Sequence, residues 1–150
     1  KLNEFQESPH QKGKTMSKLI ATVGLPRSGK TTYCNDLLKP QGFVIVNPDS
    51  FRLAIHGKRF LASAEPFVWA AVYAAVDALM LAGHDVVVDA THMTKKRREP
   101  WELRGAEFVL MKTSREVCIE RARRVMDEEI VPIIERQAKE CDWPEAIGLV

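Results

Sequence analysis

Short apolar runs recur along the chain at Leu19–Val23, 43–46, 86–89 and 108–112, each bounded by polar or turn-forming residues. Runs this short with no polar alternation suit strands buried on both faces, as in a parallel sheet. Between them lie longer stretches at 30–38, 50–56, the alanine-rich 65–82 and 95–103. Parallel strands require long crossover connections, usually helical, and these stretches can supply them. Two further helices are predicted after the last strand, over 114–126 and 132–140, where Pro132 suits a helix's first turn. The pattern as a whole predicts an α/β fold: a four-stranded parallel sheet flanked by helices, with no internal repeat.

Composition narrows this picture. Residues 1–15 are polar and aperiodic and contain Pro9 and Gly13, so they are expected to be a disordered leader or an expression-vector remnant ahead of a domain over 16–150. A basic arm built on Lys12, Lys14 and Lys18 is the alternative, weakened by Glu4 and Glu7. A chain of 150 residues, 45% hydrophobic, can build a core without disulfide or metal staples. The three cysteines, Cys34, Cys118 and Cys141, are odd in number and lack metal-ligand spacing, so reduced thiols and a cytoplasmic location are expected. No apolar run is read as reaching the roughly 18 residues that cross a bilayer, and no membrane partner is expected. His56, His84 and His92 also lack ligand spacing. A net charge of +2 leaves a nucleic-acid partner undecided, although basic residues cluster at 95–98 and 121–124. Phe67, Trp69 and Tyr73 read mainly as core packing.

The first apolar run leads into GLPRSGKT, residues 24–31, followed by a helix-compatible stretch. Glycines at the first and sixth positions let the main chain curl so that several N–H groups point at one anion, at the positive end of the following helix. Gly24, Arg27, Ser28, Gly29, Lys30, Thr31 and Thr32 are the expected nucleotide-binding set. Lys30 reaches the β- and γ-phosphates of ATP, the Thr31 hydroxyl coordinates Mg²⁺, and Thr32 is placed to bond the α-phosphate.

Ligands of open parallel sheets gather at the carboxyl ends of the strands. The second run ends in Asn47-Pro48-Asp49-Ser50-Phe51-Arg52 and the third in Asp89-Ala90-Thr91-His92. Asp49 is expected to be the general base for an acceptor hydroxyl, the alternative being a helix N-cap. Arg52, three residues on, suits an acceptor phosphate or an ion pair with Asp49. Asp89 suits Mg²⁺ or acceptor orientation. Arg121, Arg123 and Arg124 suit a lid over ATP or a solvated face; Arg121 and Arg124, at i and i+3, share a helix side. The segment from Lys95 to Arg98 suits a nucleic-acid contact or plain surface.

The series GLPRSGKTT, NPDSFR, VVVDATH, the arginines of 121–124 and IVPIIERQAKECDWPEAIG resembles the kinase domain of phage-type polynucleotide 5′-hydroxyl kinases, over residues 18 to about 148. That resemblance implies a P-loop fold of adenylate-kinase-like strand order with a helical lid. It implies ATP and Mg²⁺ at Lys30 and Thr31, Asp49 activating a 5′-hydroxyl, Arg52 on the acceptor phosphate, Asp89 at the third-strand position and a lid arginine at Arg121 or Arg124. The implied reaction moves the γ-phosphate to the 5′ end of DNA or RNA. The chain departs from the family pattern at His92 and Ala122, where Asn is common, and at Arg27, where a small residue is common. The same architecture serves small-molecule and nucleoside kinases, and a nucleotide-driven switch or ATPase module is a further alternative.

Overall fold

The structure, a computed structural model, describes residues 16–144 and 148–149. The expectations for residues 1–15 lie outside the described residues. Five strands, β1 (Leu19–Val23), β2 (Val44–Val46), β3 (Val86–Val88), β4 (Glu107–Leu110) and β5 (Gly148–Leu149), form one sheet. Their order is β2-β3-β1-β4-β5, and every pairing is parallel. The four runs predicted from the sequence supply the first four strands. Two-residue β5 carries too little pattern to be read from sequence and joins the edge beside β4.

Helices α1 (Lys30–Tyr33), α2 (Pro48–His56), α3 (Glu65–Leu81), α4 (Lys95–Glu102), α5 (Arg115–Arg124) and α6 (Val131–Glu140) make the connections. The predicted helix over 30–38 changes character midway, since α1 runs into a π-helical turn at Cys34–Leu38. β1 is paired on both sides, by β3 and β4, so its side chains meet helices above and below and nearly all are buried. The valines of β3 are fully buried for the same reason.

α3 corrects the sequence reading of apolar runs. With the short turn before it, the segment Ala62–Leu81 is 20 residues long and holds an 18-residue stretch of mean hydropathy 1.4, enough by length and composition to cross a membrane. In the fold it lies on the sheet: Val68, Val72 and Val76, four residues apart, are fully buried along one stripe, while alanines and Leu81 face outward. Burying each valine contributes about 1.5 kcal/mol or more. Two charged residues on this helix, Glu65 and Asp77, are held by Arg52 and Arg104. Trp69 and Tyr73 pack against the core as expected, but Phe67 is 69% exposed, because it falls off the valine stripe.

Candidate active site

The segment 24–31 folds into a cradle at the carboxyl end of β1. Gly24 donates from its N–H to the Thr91 carbonyl at 3.0 Å, pinning the loop to the end of β3. A Cβ at Gly24 would lie 2.6 Å from Ser28 Oγ and 2.9 Å from Met111 Cβ, so only glycine fits this approach. Gly29 turns the chain into α1 with φ 100°, a left-handed value that glycine adopts without strain. Arg27 adopts φ 64° with no such licence.

Lys30 is buried, and its Nζ donates to the Leu25 carbonyl at 2.6 Å and reaches Ser28 Oγ at 3.4 Å. Burial lowers its pKa from 10.5 to about 8, outweighing attraction from Asp89. An ammonium enclosed by neutral oxygen acceptors is poised for an anion. Thr31 Oγ1 donates to Asp89 Oδ2 at 2.8 Å, and Asn47 Nδ2 donates to the same oxygen at 3.3 Å. Burial pushes the Asp89 carboxyl above the usual carboxylate range, against the opposing pull of the Thr31 bond and the Lys30 charge. Thr22, buried inside β1, fixes where β3 leaves the sheet: its hydroxyl donates to the Ala90 carbonyl at 3.0 Å and accepts from the Ala90 N–H at 3.2 Å. Asp89 is thereby held between the cradle and α2. Thr32 is exposed in the first turn of α1.

Asp49 is exposed in the first turn of α2. It does not cap the helix. Asn47 does, accepting the Asp49 N–H on its side-chain oxygen at 2.8 Å, with Pro48 at the first helical position, where a missing N–H costs nothing. Arg52 reaches back from the next turn, Nη1 to Asp49 Oδ1 at 2.7 Å, so the predicted ion pair is present. The sequence reading missed the stronger half of this contact. Arg52 Nε and Nη2 also donate to Glu65 Oε1 and Oε2, at 2.7 and 2.9 Å, and Trp69 Nε1 donates to Glu65 Oε2 at 3.1 Å. The bonds from Arg52 hold the Glu65 carboxyl below its ordinary range. Glu65 sits thirteen residues from Arg52, and no local spacing signals the pair, whereas Asn-Pro ahead of a helix could have signalled the cap.

The arginines of α5 separate. Arg121 Nη1 donates to the Arg27 carbonyl at 3.1 Å and lies 3.9 Å from where a Gly29 Cβ would sit, so its guanidinium overhangs the cradle. Arg124 instead donates to Glu120 at 2.6 Å on the exposed side, and Arg123 lies 3.6 Å from Glu128. The shared face expected for Arg121 and Arg124 is not used jointly. The Arg27 guanidinium leaves the cradle for Asp127, at 2.8 Å.

His92 and the basic start of α4 lie behind the sheet end. His92 is buried at φ 46°, its Nδ1 2.7 Å from the Thr22 carbonyl, and burial pushes its pKa down to about 4. Arg98 is buried too, donating to the His92 carbonyl at 2.9 Å and to Asp142 at 2.6 Å. Lys95, Lys96 and Arg97 stay exposed, with the Arg97 guanidinium 5.8 Å from the Trp69 ring centre.

Comparison with known proteins bears on the fold. The family model described as "AAA domain" matches residues 19–139. Among solved structures, a chain of the Pnkp1/Rnl/Hen1 complex is 27% identical, with a TM-score of 0.63 over 71% of this chain. The present chain covers 39% of that one. A gluconokinase from Sinorhizobium meliloti 1021 is 17% identical (TM-score 0.62, 90% of this chain and 81% of that one), and a sugar kinase from Janibacter sp. HTCC2649 is 16% identical (TM-score 0.67, 89% and 83%). These two likenesses concern the fold alone. A match that begins at the first residue of β1 and runs almost to the end of α6 takes in all of the cradle, α2 and α5, so the chain belongs to the AAA domain family and has a P-loop kinase-like fold.

Proposed function

We propose that this domain is an ATP- and Mg²⁺-dependent kinase that moves the γ-phosphate to a hydroxyl, with the 5′-hydroxyl of DNA or RNA as acceptor. The observation that carries this reading is the division of labour between two carboxylates. Asp89 is buried and bonded to Thr31 beside the cradle, while Asp49 is exposed across from it and steadied by Arg52. The residues also fit both ligands. The buried Lys30 ammonium suits a polyphosphate, and the hard oxygens of Thr31 and Asp89 suit Mg²⁺. When bound, Mg²⁺ neutralises charge on the phosphates.

Lys30 and the main-chain N–H groups hold the triphosphate, and Arg121 is the lid arginine placed to offset charge spreading onto the transferred group. Asp49 accepts the acceptor's proton as its oxygen bonds to the γ-phosphorus. The bond from that phosphorus to the bridging oxygen breaks, and ADP leaves with its electron pair. Asn47 and Glu65 are positioning residues: one sets the start of α2, the other aims Arg52. The nucleic-acid acceptor is supported by the motif series of the polynucleotide kinases and by the 27% likeness to a chain of the Pnkp1/Rnl/Hen1 complex. Free Cys34, Cys118 and Cys141 fit a reducing compartment such as the cytoplasm.

One observation favours a second reading, a small-molecule kinase. Arg52 already meets two carboxylates, which lessens its pull on an acceptor phosphate and suits a neutral polyol. Incubation with γ-labelled ATP and a 5′-hydroxyl oligonucleotide, a panel of sugars and nucleosides, or no acceptor separates the readings. Label on the oligonucleotide is expected. Label only on a small molecule establishes the second reading, and phosphate release with no acceptor establishes an ATPase.

A further inference from the structure

A carboxylate outside the machinery above joins three parts of the cleft. Asp127, just beyond α5, accepts Arg59 Nη1 on Oδ1 at 2.8 Å and Arg59 Nη2 on Oδ2 at 2.9 Å, and Arg27 Nη2 on Oδ2 at 2.8 Å. Arg59 belongs to the loop that follows α2, the helix of Asp49 and Arg52. Arg27 belongs to the cradle, and Asp127 to the segment joining α5 to α6. The pairs span 68 and 100 residues of sequence, so this one group stitches the acceptor side, the cradle and the lid side together.

Two features mark this as more than surface charge. The carboxylate side chain is only 13% exposed, beneath arginines exposed at 41% and 51%. Left-handed backbone without glycine also occurs at Arg27, φ 64°, and at Met126, φ 57°, the residue before Asp127. Such conformations cost about 1 kcal/mol or more each and persist where surrounding contacts hold them. At Met126 the turn that ends α5, with the Asp127 N–H bonded to the Ala122 carbonyl at 2.9 Å, folds the carboxylate back toward the cradle. The two arginines hold the Asp127 carboxyl far below the usual range, so it stays charged at any working pH.

We propose that Asp127 is a positioning residue that ties the acceptor-side loop to the phosphate cradle through Arg59 and Arg27, so that occupation of the cradle is transmitted to the acceptor side. This rests on the kinase reading for its kinetic consequence and on nucleotide binding for its structural one. Reciprocity then requires that a bound acceptor change nucleotide affinity by the same factor as a filled cradle changes acceptor affinity.

The test compares wild type, Arg59→Ala, Asp127→Asn and the double variant. A bidentate pair this exposed is worth about 1 kcal/mol, roughly fivefold. In wild type, a non-hydrolysable ATP analogue is expected to slow hydrogen exchange of the 57–61 segment about fivefold, and both single variants are expected to abolish that slowing. Acceptor KM is expected to rise about fivefold in each single variant with kcat within about twofold, and the double variant is expected to be no worse than the worse single one. Slowing that persists in both variants, or KM effects that add in full, overturns the proposal. Arg59 is half exposed, so Arg59→Ala carries the test alone should Asp127→Asn unfold. If no acceptor is phosphorylated by any form, the kinase reading fails while the exchange comparison still decides the tie. If the analogue does not bind, resting exchange at 57–61 decides it: faster in the variants supports the tie, and unchanged overturns it.

Discussion

On the proposed kinase reading, Lys30 serves function at the expense of stability. Its pKa of about 8, against an ordinary 10.5, means the fold bears the cost of enclosing a cation. Below pH 8 the folded and unfolded chains both carry the charge, and the full cost applies. Above pH 8 the folded chain gives up a proton that the unfolded chain keeps until 10.5, so stability rises with pH. Cys34, pushed up to about 12 from 9.0, acts in the opposite sense from pH 9 upward. Urea unfolding is therefore expected to show wild type gaining roughly 1 kcal/mol between pH 8 and 9 relative to Lys30→Met. At pH 7 the Met variant is expected to be roughly 1–2 kcal/mol more stable while losing nucleotide binding. A Met variant less stable than wild type at pH 7 would show the charge to be already compensated. Asp49 makes the converse case: its carboxylate is exposed and held by Arg52, so it contributes little to the fold. Asp49→Asn is expected to melt with wild type, bind ATP normally and lose about 10²-fold in kcat; full turnover would remove it as base. The cradle residues were legible in sequence because their geometry is local, eight consecutive positions that make one shape. Glu65 and Asp127 were not, since each meets its arginine across a distance set only by the packed sheet.

Helix α2 carries Asp49 and Arg52, and its first turn decides where they point. Asn47 does two things there: it caps the helix and reaches Asp89. Asn47→Ala is expected to cost about 1 kcal/mol, lowering Tm by about 2–4 °C, and to lower kcat as well because Asp89 loses a partner. Unchanged melting would show that Pro48 alone starts the helix. Most elements followed from the apolar pattern, with boundaries shifted by two residues at most. The π-helical turn after α1 did not, because Cys34 and Leu38 keep a helical burial pattern whether the turn is tight or wide. Phe67 misled for a related reason: an aromatic near a helix start reads as core until the valine stripe one position away fixes which side meets the sheet.

At the scale of the molecule, β1 lies in the middle of the sheet, with the Asp49 and Asp89 elements on the β2-β3 side and α5 beyond β4 on the other. The order could not be read from the strands themselves, since four apolar runs of similar length carry no label for their neighbours; it came from the resemblance and is confirmed by the pairings. This central seat also makes the protein divisible. An engineer could exchange residues 47–69 for the matching stretch of a sugar kinase and alter what is phosphorylated with β1 left intact, provided that the incoming stretch keeps Asn47 against Asp89 and Arg59 against Asp127. In such a hybrid the titration of Lys30 should stay where it is while the preferred alcohol changes, a separation that proton-linked calorimetry and a substrate panel would reveal side by side.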